Sequence, residues 1–175
     1  LRMTWNPSTT VTIDSTSYAD KSLAGVQISY GRVNLWEQPR AGYAVVNILN
    51  TTNSDFAFQP NQDIVITMNN SSGTPVTVFT GKITDIKNTM ASIGTVAQVA
   101  VQQLTAVSPL AKMARTQIDG NYPKEYDDDR LTTILTDAGV TIDTVDTPGV
   151  YEFQAFNNGT ADSYSLAAKY AQMAF

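Results

Sequence analysis

Between Val11 and Leu104, apolar residues recur at every second position in short runs, and turn-forming clusters break these runs about every 8–12 residues. A chain patterned this way buries one face of each strand and packs the strands as a sandwich or a barrel. Val11 and Ile13 alternate with polar neighbours ahead of "DSTS", which predicts a small hairpin. "VQISY" sets Val26, Ile28 and Tyr30 on one face, with Gln27 and Ser29 on the other. "YAVVNIL" (Tyr43 to Leu49) is apolar on both faces and predicts an interior strand. "DIVITM" aligns Ile64, Ile66 and Met68, and "NNSSGTP" (Asn69 to Pro75) reads as a polar loop, long for a hairpin. "VTVFTGKITDI" (Val76 to Ile86) is a long strand whose apolar phase changes near Gly81, the sign of a bulge or a barrel corner. "KNTMASIGT" then connects it to a partner strand, "VAQVAVQQL" (Val96 to Leu104).

The pattern changes further on. "SPLAKMA" reads as a short helical turn with Ser108 as cap and Pro109 in first position. "DDDRLTTILTDAGV" predicts a helix with Leu131, Ile134, Leu135 and Ala138 on one face, Asp127 to Asp129 at its start and Gly139 as a left-handed C-terminal cap. "VTI" and "VYEFQAF" (Val150 to Phe156) read as two strands separated by a "TPG" turn. "NNGTADSYSLAAKYAQMAF" opens as loop and caps, then continues as a helix with Leu166, Tyr170, Met173 and Ala174 on one face. The expectation is a mainly β chain: a barrel or sandwich over residues 1–118 and a small α+β appendage over 119–175, the whole being a piece of a longer protein.

Composition narrows the function. The chain has 175 residues, no Cys and no His. Thiolate and imidazole metal sites, Cys nucleophiles and Ser-His-Asp chemistry are excluded. Net charge is −5, with Lys and Arg scattered rather than clustered, so the basic stripe that phosphate backbones require is missing. The expectation is a protein that is not an enzyme, with no catalytic, cofactor-binding or metal-ligating residue assigned, no cofactor, and no membrane-spanning segment.

Four features of the sequence are candidate sites. "EYDDD" (Glu125 to Asp129) offers carboxylates to a hard cation but lacks the alternating spacing that wraps calcium, and capping of the following helix accounts for it. Glu37 with Asp63 could form a glycosidase pair only if folding set them roughly 5–10 Å apart across a cleft. Asn50, Asn69, Asn70 and Asn158 open N-x-S/T patterns that an Asn-, Ser- and Thr-rich chain produces by chance. Trp5, Trp36, Tyr43, Tyr122 and Tyr126 could form a platform for a sugar, the chief rival reading, although barrel aromatics are more often core or interface anchors.

"GRVNLWEQPRAGYAVVNI" (Gly31 to Ile48) has Pro39, which cannot donate to a ladder, beside Trp36 and a Glu37–Arg40 pair able to tie a connection. Followed by "PNQDIVITM" and "PVTVFTGKITDI", it resembles the amino-terminal region of minor tail proteins of long-tailed bacteriophages, which carry a "Y/WEQPRAG" connection and an "LFTGxIxDI" segment. "YPKEYDDDRLTTILTDAGV" and "ADSYSLAAKYAQMAF" are similar to the part of those proteins that follows the barrel. The resemblance covers about Val11 to Phe175, in order. It implies a tail-tube-like β-barrel and a structural role in the virion, as a subunit of the baseplate or tail-tip hub, assembled with itself in a ring of three copies, or alternatively six. It further implies other tail proteins as partners: the tail tube, the distal tail, and a tip fibre or spike. The Trp36 connection is then a shape-setting segment or an inter-subunit contact, and the loops Asn50 to Gln62 and Asn69 to Pro75 could reach a neighbouring copy.

Overall fold

A computed structural model describes residues 8–19, 23–31, 40–50, 58–93, 97–141 and 148–173. The contacts divide them into two compact units. One holds the described residues up to Gly31 and from Ala41 to Ser108; the other holds Arg40 and the described residues from Pro109 onward.

The first unit contains β1 (Thr9–Ile13), β2 (Thr16–Ala19), β3 (Leu23–Gly31), β4 (Arg40–Asn50), β5 (Asp63–Asn69), β6 (Pro75–Ile93) and β7 (Ala97–Val107). They form one sheet in the order β2-β1-β5-β6-β7-β4-β3. β1 and β2 are joined by Asp14 and Ser15, both at positive φ, the geometry whose twist matches a two-residue hairpin. The loop after β5 is tied by Asn70, whose Oδ1 accepts the N–H groups of Ser72 and Thr74, each at 2.9 Å. The core is built from the alternating positions read in the sequence: Val46, Ile48, Ile64, Ile66 and Leu104 are fully buried. Tyr30 does not follow Val26 and Ile28 inward. It is half exposed at the sheet margin, its ring 5.8 Å from that of Phe79, and its hydroxyl donates to the carbonyl of Val78. β3 and β6 are not neighbours in the strand order, so this contact requires the sheet to curl into a half-barrel.

β6 is the hinge of that curl. Its first half pairs with β5 and its second half with β7. The sequence locates the phase change at Gly81; the structure resolves it into two bulges on either side. Ile66 faces Phe79 while Thr67 faces Thr77, so Val78 is the extra residue against β5. Ile83 faces Ala106 while Asp85 faces Thr105, so Thr84 is the extra residue against β7. A bulged residue leaves the ladder, which explains why the Val78 carbonyl takes its hydrogen from a tyrosine. Gly81 itself is required sterically: a Cβ there would meet the Val107 carbonyl oxygen at 2.4 Å and the Phe79 ring at 2.7 Å. Gly81→Ala is expected to cost about 1–3 kcal/mol, as overpacking against backbone does, measured by urea denaturation followed through the β signal. Of the expected connection "KNTMASIGT", Lys87 to Ile93 is strand, and the last two residues lie outside the described residues. Strand β6 continues to Ile93, with Ile93 facing Ala97, because ladder pairing needs backbone groups rather than apolar side chains.

The second unit contains α1 (Leu110–Met113), β8 (Gln117–Tyr122), β9 (Glu125–Tyr126), α2 (Asp127–Asp137), β10 (Glu152–Phe153), β11 (Phe156–Asp162) and α3 (Ser163–Met173). β8 pairs with β11 and β9 with β10. Its core gathers Met113, Ile118, Ile134, Leu166 and Tyr170. Ser108 does not cap α1: its Oγ accepts the Gly42 N–H at 3.0 Å. α2 ends as expected, with Gly139 at φ +63, its N–H on the Thr136 carbonyl and the Val140 N–H on the Leu135 carbonyl. "NNGTAD" is strand rather than loop. Of the expected "VTI" strand, Val140 and Thr141 lie outside any strand, and Ile142 is outside the described residues. α3 is capped by Asp162, whose Oδ1 accepts the Ser165 N–H at 2.8 Å. Hydrogen bonds from the Ser165 backbone and side chain hold the Asp162 carboxyl below the usual carboxylate range. A lowered pKa stabilises the fold above the ordinary carboxyl range, and the gain is lost as pH falls through the folded value. Asp162→Ala is expected to lose about 1 kcal/mol at pH 7, a deficit that shrinks below pH ~4, read from urea midpoints across pH.

Candidate functional site

Among the described residues no group of carboxylates could hold a metal ion. Glu125 is committed to Arg130, and Asp127 does not cap α2: its Oδ1 accepts the N–H groups of Val150 (2.9 Å) and Tyr151 (3.2 Å), pinning the strand that follows. Asp63 is paired with Lys82 at 2.8 Å, and Glu37 lies outside the described residues. Of the aromatic candidates, Trp5 and Trp36 also lie outside them, Tyr122 is core, and Tyr43 and Tyr126 are half exposed in different units. Glu37 of the expected Glu37–Arg40 tie and Trp36 fall on the same undescribed stretch, while Arg40 opens β4. No helix among the described residues is long and apolar enough to cross a membrane.

The second unit is organised by Arg130, a residue that the sequence pattern does not single out. Its side chain is 1% exposed. Nε donates to Glu125 Oε1 at 3.0 Å, and Nη2 donates to the carbonyls of Pro123 (2.6 Å) and Gln154 (3.0 Å). The guanidinium carbon lies 4.8 Å from the ring centre of Tyr170, 5.3 Å from Phe153 and 5.6 Å from Tyr122. One cation thus joins β8, β9, the ends of two strand connections, and α3. Burial, followed by the charge of Asp137, pushes the Tyr122 hydroxyl up to about 12, so it stays neutral under any ordinary condition. This is a structural keystone: the buried guanidinium is bonded to Glu125 and two carbonyls and packed by three rings, and the Tyr122 hydroxyl beside it is buried without a hydrogen-bond partner.

The surface with room to act is on the first unit. Beyond the second bulge of β6, the sheet is four strands wide: β6, β7, β4 and β3. Asn47 faces Gln103, and Gln103 faces Lys87. Gly25 lies against the Asn47 amide, while Ser29 and Tyr30 lie against Gly42, so β3 runs antiparallel to β4. One row therefore crosses the sheet as Gly25, Asn47, Gln103 and Lys87, with Gln103 Nε2 donating to Asn47 Oδ1 at 3.2 Å. The rows beside it carry Val45, Thr105 and Asp85, and Leu49, Val101 and Thr89. The opposite face supplies core residues such as Val46 and Leu104, so this face is the outer one. It carries amides and hydroxyls, the apolar Val45, Leu49 and Val101, and the charges of Asp85 and Lys87, a mixture that suits a protein–protein contact surface.

No protein-family model matches the chain, and no curated protein matches it in sequence. Solved structures do. The 43 kDa tail protein of prophage MuSo2 from Shewanella oneidensis aligns with 97% of this chain and 51% of its own, at a TM-score of 0.68 and 12% identity. A tail protein from Neisseria meningitidis MC58 aligns with 96% of this chain and 45% of its own, at a TM-score of 0.59 and 11% identity. An E. coli component of the type VI secretion system, described as structurally similar to the T4 bacteriophage tail proteins gp27 and gp5, aligns over 93% of this chain and 37% of its own, at a TM-score of 0.50 and 9% identity. The chain spans about half the length of these proteins or less. Over nearly its whole length, and through both of its units, the chain has the fold of phage tail proteins.

Proposed function

We propose that this chain is a structural, non-catalytic subunit of a bacteriophage tail, placed in the tip or baseplate as a hub ring that joins the tail tube to the tip machinery. The observation that carries this is the alignment of both units, in order and over 97% of the chain, with a phage tail protein. The outer sheet face supports it, because its mixed rows of amide, hydroxyl, charged and apolar side chains suit assembly. A ring of three copies is the leading stoichiometry and six the alternative. The partners are further copies of the chain and adjoining tail proteins. Light scattering on the full-length protein tests the stoichiometry: a discrete mass of three or six copies is the expected result, and a population of monomers at every concentration, with or without tail-tube protein, would overturn it.

A further inference from the structure

Three large side chains of the second unit stand together outside its core: Tyr126 and Tyr151, each 48% exposed, and Val150, 76% exposed. The backbone brings their stems together. Tyr126 pairs with Glu152 across β9 and β10, the Asp127 N–H donates to the Tyr151 carbonyl at 2.9 Å, and a Cβ at Gly149 would lie 2.8 Å from the Tyr126 Cβ. Phe156 is exposed to a similar extent, but the Lys169 ammonium covers its ring at 4.6 Å. Neither Tyr126 nor Tyr151 stacks on another ring or lies under a cation among the described residues. The strip is also pinned. Asp127 Oδ1 accepts the N–H groups of Val150 and Tyr151, so with the Asp127 N–H three hydrogen bonds tie it to the start of α2. Gly149 permits this approach, because a side chain there would collide with the Asp127 and Asp128 carboxylates.

A single exposed apolar side chain needs no explanation, whereas a grouped set marks a contact. Holding the set in place beforehand lowers the entropy lost on binding, and tyrosine is enriched among the residues that carry interface energy. The charge around the strip selects the occupant. Asp127, Asp128 and Asp129 open α2 and Glu152 follows Tyr151, while Lys124 answers Glu152 at 2.7 Å. The helix N-terminus offsets roughly half a charge, so the rim stays negative. We propose that Tyr126, Val150 and Tyr151 form a docking surface for another tail protein, one that presents an apolar recess bordered by Lys or Arg. This inference rests on the tail reading above and names a contact within it. A second copy of this chain fits less well, because its net charge is −5 and its Lys and Arg are scattered. A saccharide also fits less well, because Val150, the most exposed of the three, offers it neither a side-chain hydrogen bond nor a ring face.

Photo-cross-linking in assembled tails tests it. Full-length protein with p-benzoylphenylalanine in place of Tyr126 or Tyr151 is built into tails and irradiated, and the joined peptides are sequenced by mass spectrometry. Thr132, exposed on α2, is the control position. The expected result is that the Tyr126 and Tyr151 positions capture the same second polypeptide, at a site with Lys or Arg beside an apolar residue, and that the Thr132 position does not. Asp128→Asn together with Asp129→Asn is expected to cut that capture about tenfold, because the rim then lacks its charge. Capture of this chain alone, of a saccharide, or of nothing, in tails that contain the protein, overturns the docking surface and leaves the tail reading standing. Capture that the two Asn substitutions leave unchanged overturns it as well. Complete tails that lack the protein overturn both.

Discussion

Arg130→Ala unfolds the second unit at markedly lower denaturant, with a loss of about 3–5 kcal/mol. The size follows from what is left behind. Glu125 keeps a largely buried carboxylate without its partner, and the Pro123 and Gln154 carbonyls lose their donors. The rings of Tyr122, Phe153 and Tyr170 then border a cavity where a guanidinium had packed. Arg130→Lys recovers only part of the loss, because an ammonium cannot reproduce the planar fork that serves Glu125 and two carbonyls at once. Replacing both charges, Arg130→Met with Glu125→Leu, recovers more than either single change, since a buried pair replaced by apolar groups of similar volume is often neutral. Urea unfolding of the unaltered protein, Arg130→Ala, Arg130→Lys, the double variant and its two component single variants, read by hydrogen exchange at α2 and α3 amides, separates these cases. A loss below about 1 kcal/mol for Arg130→Ala, the level of an exposed ion pair, would show that the cluster is peripheral.

Phe79→Ala removes the other keystone. Phe79 is 1% exposed, on the part of β6 where the sheet turns. Its ring edge occupies the space that a side chain at Gly81 would need, and the ring lies 5.8 Å from that of Tyr30 at a tilt of 43°. Truncation costs about 3–5 kcal/mol, as Phe→Ala does in cores that cannot collapse around the gap. The first unit is the one affected, so its amides in β5, β6 and β7 lose protection while those of α2 and α3 keep theirs. Equal loss of protection in both units would contradict the division at Pro109.

The first unit was largely legible from period-2 alternation, because its core positions Val46, Ile48, Ile64, Ile66 and Leu104 sit on strands with one clearly apolar face. The resemblance to tail proteins likewise anticipated the fold that the solved structures show. What the sequence hid was hidden for physical reasons. Arg130 stands four residues before Ile134, on the same helix face, but a charge is ordinarily read as solvent-facing, and its three aromatic neighbours are contributed by β8, β10 and α3. "NNGTAD" carries turn chemistry, yet it is used inside a strand: the pairing shifts between Asn157 and Thr160, and Gly159 at φ +64 absorbs the irregularity. β8, "QIDGNY", alternates correctly with Ile118, Gly120 and Tyr122 buried, but its Asp-Gly pair reads as a turn until β11 is known to lie beside it. The distal half of β6 reads as a connection because Lys87, Asn88 and Thr89 stand together there, whereas its pairing is carried by the backbone.

The central claim, a structural place in a phage tail, is tested most directly by locating the protein on the particle. Gold-labelled antibody against the full-length protein, viewed by electron microscopy on intact tailed particles, is expected to mark one end of the tail, opposite the head. Label on the head, or none on particles whose tails are complete, would contradict the account.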